Sequence, residues 1–174
     1  MKKDQITKLP EYFDRYIGYV PDINLSDALN QFGIEYLMQE KAMLKQIGHL
    51  VYSPGKWTIR DILQHIIDTE RIFAYRALRI GRNDKTVLPG FDENVYADNA
   101  HAAGRKLDDL LSEFDVVRQS TIALFNSFNS DDTLREGFIF KSDISVLALG
   151  FTITGHVIHH VNVIKEKYYP LINL

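Results

Sequence analysis

Residues 145–170 read SVLALGFTITGHVIHHVNVIKEKYYP. Ser145 is a fitting N-cap and Pro170 a stop, so the stretch predicts one helix from about Ser145 to Tyr168. Along it Leu149, Thr152 or Ile153, His156, His160 and Val163 or Ile164 fall on one line. The line is apolar on both sides of the histidines, which predicts imidazoles pointing into a packed interior. An unpaired polar group there costs free energy, so something inside must receive their lone pairs. His156 and His160 lie four residues apart, with Cβ atoms about 6 Å from each other, the spacing by which consecutive turns offer two imidazoles to one ion. His159 cannot share their direction. On spacing alone the pair suits surface or hydrogen-bonded core histidines equally well, and the choice rests on where further ligands lie.

Working outward, three more segments carry broad apolar faces at helical spacing. Ser26 or Asp27 caps a first predicted helix running to about Gln46, through Leu29, Phe32, Tyr36, Leu37, Met43, Leu44 and Ile47. A second spans Thr58 to Ile80, with Thr58 as N-cap and Asp61 three residues on, a relative of the capping box. A third spans about Gly104 to Phe128. The last predicted helix is the fourth. Between the second and third, GRNDKTVLPGFDENVYA (81–97) is polar, rich in turn residues and too long for a simple connection; such loops are often functional. In the connection after the third, EGFIF (136–140) reads as briefly extended. The pattern predicts an all-α fold, a four-helix bundle, as a single domain over residues 1–174.

Composition narrows the function classes. Hydrophobic residues make up 45% and charged residues 25% of 174, which suits a soluble globular chain with a sizeable core. A net charge of -3 and scattered basic residues give no general attraction to phosphate backbones, so no nucleic-acid partner is expected. The opening MKKDQITKLPEYF has no apolar signal region, and no membrane span or membrane partner is expected. There is no cysteine, which excludes disulfides, thiolate ligands and a cysteine nucleophile and accords with a reducing cytoplasm. Any metal must be held by nitrogen and oxygen. A phosphate-binding glycine loop, a nucleophile elbow and HExxH are all absent, Val157 standing where the last motif needs its glutamate.

The available third nitrogen is His65, in RDILQHIIDTERIF on the second predicted helix, on one face with Ile62, Thr69 and Ile72. Facing helices of a bundle are the usual place to assemble a metal site. Neutral His65, His156 and His160 would suit nickel, zinc, iron, cobalt or manganese and leave positions open for water or substrate. Asp68 is a candidate to accept the Nδ1 hydrogen of a ligand or to act as a base; it reads equally as a solvated carboxylate pairing with Arg71 or Arg76. Asp92, Glu93 and Asn94 are turn residues on a loop that would be able to cover the site. His49, His101 and Trp57 read as structural, the last as the anchor that seats the second helix.

WTIRDILQHIIDTERIF, RALRIGRND, PGFDENVY and SVLALGFTITGHVIHHVNVIKEKY together resemble the DinB-like superfamily, also called the YfiT-like metal-dependent hydrolases. The likeness runs from about the first predicted helix to the end, and its strongest element is one histidine after the Trp-led helix start combined with HxxxH late in the chain. It implies an up-down-down-up bundle with a divalent ion, nickel or zinc foremost, in a cleft between the second and fourth main helices. It implies His65, His156 and His160 as the ligands, with His159 belonging to the HxxHH form but not to the usual ligand set. Homodimers, small-molecule substrates and low-molecular-weight thiol cosubstrates such as bacillithiol or mycothiol are implied as well. The expected function is a divalent-metal-dependent enzyme that activates water or such a thiol. The alternatives are a detoxifying thiol-dependent S-transferase and a non-catalytic, metal-stabilised stress-related binding protein.

Overall fold

The computed structural model describes residues 1–172. Its long helices are α5 (Ile59–Gly81), α7 (Leu107–Asn126) and α9 (Val146–Val163), each close to its expected range. Local chemistry sets their starts. The Thr58 hydroxyl accepts from the Asp61 amide while the Asp61 carboxylate accepts from the Thr58 amide at 2.9 Å, so an aspartate closes the capping box. The Ser145 hydroxyl accepts from the Ala148 amide at 3.1 Å. Beyond α9 the chain widens into a π-helical turn at Ile164–Tyr168. It then tightens into a 3-10 turn at Tyr169–Leu171, where Pro170 sits near the start and needs no amide hydrogen.

The first predicted helix is instead three short ones, α2 (Leu25–Gln31), α3 (Ile34–Met38) and α4 (Lys41–Ile47), preceded by α1 (Asp14–Tyr19). The cap is Asn24 rather than Ser26 or Asp27. A distant side chain occupies the first break. Arg118 on α7 donates from Nη1 to the carbonyls of Leu29 and Phe32, at 2.9 and 2.8 Å. Its Nε and Nη2 grip both oxygens of Glu70 on α5, each at 2.8 Å. Carbonyls that would continue a helix are thus taken by a guanidinium. At the second break Glu40 is held by Lys165 at 2.6 Å and by the Tyr169 hydroxyl.

Pairings at both ends fix the topology. Arg60 at the start of α5 meets the Arg105 carbonyl just before α7, and Arg82 after α5 meets Ser127 after α7, so these helices run parallel. Trp57 before α5 meets Tyr168 beyond α9, so α9 runs against them. Lys41 on α4 pairs with Asp108 at the start of α7, whereas Leu29 on α2 lies by Arg118 further along it, so the broken first helix also opposes α7. The order is up-down-down-up. The parallel pair requires a long crossover, and residues 82–106 provide it. They include α6 (Glu93–Ala100), whose amides at Asn94 and Val95 are capped by Asp92. After α7 come α8 (Ser130–Leu134) and an antiparallel hairpin, β1 (Glu136–Ile139) with β2 (Ser142–Ser145), which borders Leu88 of the crossover.

The apolar interior forms two clusters that meet along α9, one around Leu29, Phe73, Phe125 and Leu149, the other around Leu44, Ile66, Phe114 and Val157. By length and composition alone Val146–Leu171 is apolar enough to cross a membrane, yet most of it is packed inside the bundle. Burial on every side, rather than lipid, accounts for its apolarity.

Candidate metal centre

His65 leaves α5 towards α9 about two turns after the Thr58 cap, and His156 and His160 leave α9 on consecutive turns to meet it. The Nε2 atom of His156 is 3.0 Å from Nε2 of His65 and 3.0 Å from Nε2 of His160. One ligand nitrogen from each of the three lies within 4.8 Å of the others. His156 is buried and the other two are partly open, so the cluster reaches solvent on one side. Burial holds the imidazoles uncharged: the pKa of His65 is pushed down to about 4, and those of His156 and His160 fall well below the usual value. Neighbouring imidazoles push the same way.

The donor set fits a cation. Neutral imidazoles carry one ring hydrogen each, and the single lone pair on His156 Nε2 cannot accept from both neighbours at once. With the Nε2 lone pairs turned inward, the His65 hydrogen resides on Nδ1 and faces the Thr69 hydroxyl at 3.4 Å. Among the described residues no carboxylate joins the three as a fourth ligand.

Of the two roles open to it, Asp68 takes that of a carboxylate beside Arg71. It accepts from Gln64 at 2.9 Å and lies 3.7 Å from Arg71, within a polar network that runs on to Glu113 of α7 and to Arg105. Among the described residues Asp68 makes no hydrogen bond or ion pair with a histidine. Thr69, four residues from His65 and nearer to it around the helix, takes the orienting position instead. Burial raises the Asp68 pKa, against the lowering effects of Gln64 and Arg71.

Leu88 and Pro89 of the 81–97 loop lie three turns of α5 beyond His65, where Arg76 donates to the Pro89 carbonyl and Leu88 pairs with the hairpin. His49 is exposed beside Arg60, and His101 ends α6 in a left-handed conformation; neither belongs to the cluster. A cavity of about 260 Å³ between Leu25, Leu29, Ile122 and Phe125 also lies apart from it and is lined by no charged side chain.

The cluster's walls come from segments whose part in it the residue pattern left unread. Trp57 does anchor the start of α5, its carbonyl receiving the Tyr168 hydroxyl, but its ring also lies 4.8 Å from that of His65. On another side α1 crosses α9 so closely that a Cβ at Gly155 would overlap the Tyr16 carbonyl. That contact sets the Tyr16 ring edge-on to His156 at 5.3 Å and to His159 at 5.4 Å. His159 itself stacks on Tyr19 and stands beside His160, outside the converging set. The only sequence signals for this wall were the aromatic run LPEYFDRYIGYVPDI and the glycine preceding His156.

The sequence profile of the DinB superfamily matches residues 33–164, which include all three histidines. The chain belongs to the DinB superfamily. Among solved structures it is similar to one described as "YfiT from Bacillus subtilis is a probable metal-dependent hydrolase with an unusual four-helix bundle topology". The TM-score is 0.67 at 16% identity, over 92% of this chain and 88% of that one, a likeness of fold. No curated protein sequence matches the chain.

Proposed function

We propose that the chain is a divalent-metal-dependent enzyme acting on a small molecule, with His65, His156 and His160 as the protein ligands of nickel or zinc, or of iron, cobalt or manganese. The observation that carries this reading is the convergence of three uncharged imidazole nitrogens on one point, open on one side and with no fourth protein ligand among the described residues. That arrangement is catalytic in form, since a structural site closes its coordination with protein. When bound, a divalent cation supplies Lewis-acid chemistry and draws the pKa of a water or a thiol towards neutrality.

The chain's own residues do the rest. Thr69 receives the Nδ1 hydrogen of His65 and so fixes which nitrogen faces inward. Tyr16 and Trp57 wall the cluster and limit water around it. A sulfur nucleophile would have to arrive with a low-molecular-weight thiol, because the chain has none of its own. The description of the YfiT structure as a hydrolase supports the water-activating form of the reaction.

The test is metal content of untagged protein by elemental mass spectrometry, followed by turnover assays with and without added thiol. About one divalent ion per chain, lost on replacing any of the three histidines, is the expected result. Thiol-independent turnover of an ester or amide identifies a hydrolase; strict thiol dependence identifies an S-transferase. Failure to take up any ion after reconstitution with all five metals overturns the reading in favour of a non-catalytic binding protein.

A further inference from the structure

Beside the histidines stands a charge that the proposed reaction has not used. Arg15, on α1, packs its guanidinium carbon 4.0 Å from the Tyr12 ring centre and 4.6 Å from that of Tyr16. Its Nη2 donates to the Tyr16 hydroxyl at 2.7 Å. Two aromatic faces and one hydrogen bond therefore hold a group that ordinarily samples many rotamers. Tyr12 adopts φ 74°, a left-handed conformation uncommon for an aromatic residue, and so carries backbone strain in the pose that sets its ring against Arg15.

No carboxylate among the described residues comes within ion-pair distance of Arg15, although Glu11 and Asp14 are its near neighbours in sequence. Most of its donor fork is thus free. The guanidinium also belongs to the site. Tyr16, which it grips, lies edge-on to the rings of His156 and His159. A held, unpaired, solvent-facing arginine next to a neutral metal-binding cluster is arranged to receive an anion.

Building on the metal-dependent reading above, we propose that Arg15 is the substrate-anchoring residue of this site and that the substrate is a small molecule bearing a carboxylate. The planar fork of Arg15 takes the carboxylate in two parallel hydrogen bonds while the reacting end of the molecule lies at the three histidines. Tyr12 and Tyr16 keep the fork in place, which lowers the ordering cost of binding. Specificity is then set by α1, a segment outside the four-helix core, and by Gly155, which lets α1 approach.

The test uses zinc-loaded full-length protein, wild type and Arg15→Met, with 6-mercaptohexanoate and 4-mercaptobutanoate and the primary amide of each as probes. Calorimetry should show at least one acid binding about tenfold more tightly than its amide to wild type, the advantage of a charge-assisted pair. The preference should vanish in Arg15→Met at unchanged zinc content; Arg15 is exposed, so its truncation leaves the core intact. Independently, the Arg15 Nε–Hε resonance, assigned by its loss in the variant, should shift with the acids, or with acetate in metal-free protein, and not with the amides. Equal binding of acids and amides by wild type with an unmoved resonance overturns the proposal, as does a preference that survives in Arg15→Met. Should zinc fail to bind, the metal reading falls, and the resonance in acetate still decides the role of Arg15.

Discussion

Helix α5 presents two inward-facing polar groups five residues apart to two different partners, and they meet opposite fates. Glu70, 2% exposed, faces α7, where Arg118, 1% exposed, supplies both bonds its carboxylate needs and spends its remaining donor on two backbone carbonyls. His65 faces α9, where it finds two further imidazoles that present lone pairs to the same point and too few hydrogens to satisfy them. The first cluster is closed within the protein and can only hold the fold together. The second is complete only with something added, and that incompleteness marks it as the place where chemistry occurs.

The contrast breaks most severely at the ligands. His65→Ala, His156→Ala and His160→Ala should each remove essentially all bound metal, whereas His159→Ala should keep most of it; equal retention by all four dissolves the distinction. Elemental analysis after gel filtration reads this out.

Next in size is the closed cluster. Arg118→Met strands a buried carboxylate and should cost about 3–5 kcal/mol in urea denaturation, while Arg118→Met with Glu70→Leu should recover much of that loss. Neither change should alter metal stoichiometry in protein that folds. A loss below about 1 kcal/mol for the single variant shows the pair to be better hydrated than its burial implies.

A smaller effect separates orientation from ligation. Thr69→Ala removes the partner of His65 Nδ1 and should weaken metal binding about tenfold to a hundredfold in competition with a chelator, without abolishing it.

Acid should sharpen the same comparison. In metal-free protein the folded-state pKa of His65 lies near 4, below the 6.5 of an ordinary histidine. As pH falls below 6.5 the unfolded chain gains protons that the folded chain refuses. Stability should therefore drop between about pH 6.5 and 4, with His156 and His160 acting in the same direction. Denaturation midpoints at pH 7.5, 5.5 and 4.5 test this, and a flat profile contradicts the burial of neutral imidazoles.

The smallest effect is expected at Asp68. Asp68→Asn should leave metal affinity within about twofold and stability within about 0.5 kcal/mol, because its partners lie on the solvated α5–α7 seam. A tenfold loss of metal affinity would return Asp68 to the site.

The histidines were legible because their signal is local: a four-residue spacing on an apolar helix says which way two imidazoles face, and a third on a capped, amphipathic helix has one bundle interior to enter. The same one-dimensional signal left Asp68 between two roles, since a position three residues from His65 lies on the flank of the helix, where Gln64 and Arg71 compete for it. It also drew the first helix as continuous. Nothing between Ser26 and Gln46 announces that Arg118, far along the chain, will claim the carbonyls of Leu29 and Phe32.

By itself, then, the sequence determined the class of fold, the starts of α5 and α9 and the three nitrogens that converge, because capping, periodicity and the cost of burying a polar group act over one or two turns. The tertiary structure alone decided that α1 would lie on Gly155 and bring Tyr16 and Arg15 to the histidines. It likewise decided that Trp57 would back His65 and that Leu88 and Pro89 of the crossover would pack three turns of α5 away from it. Those placements depend on how closely two distant backbones approach, and the local pattern of residues does not encode that distance.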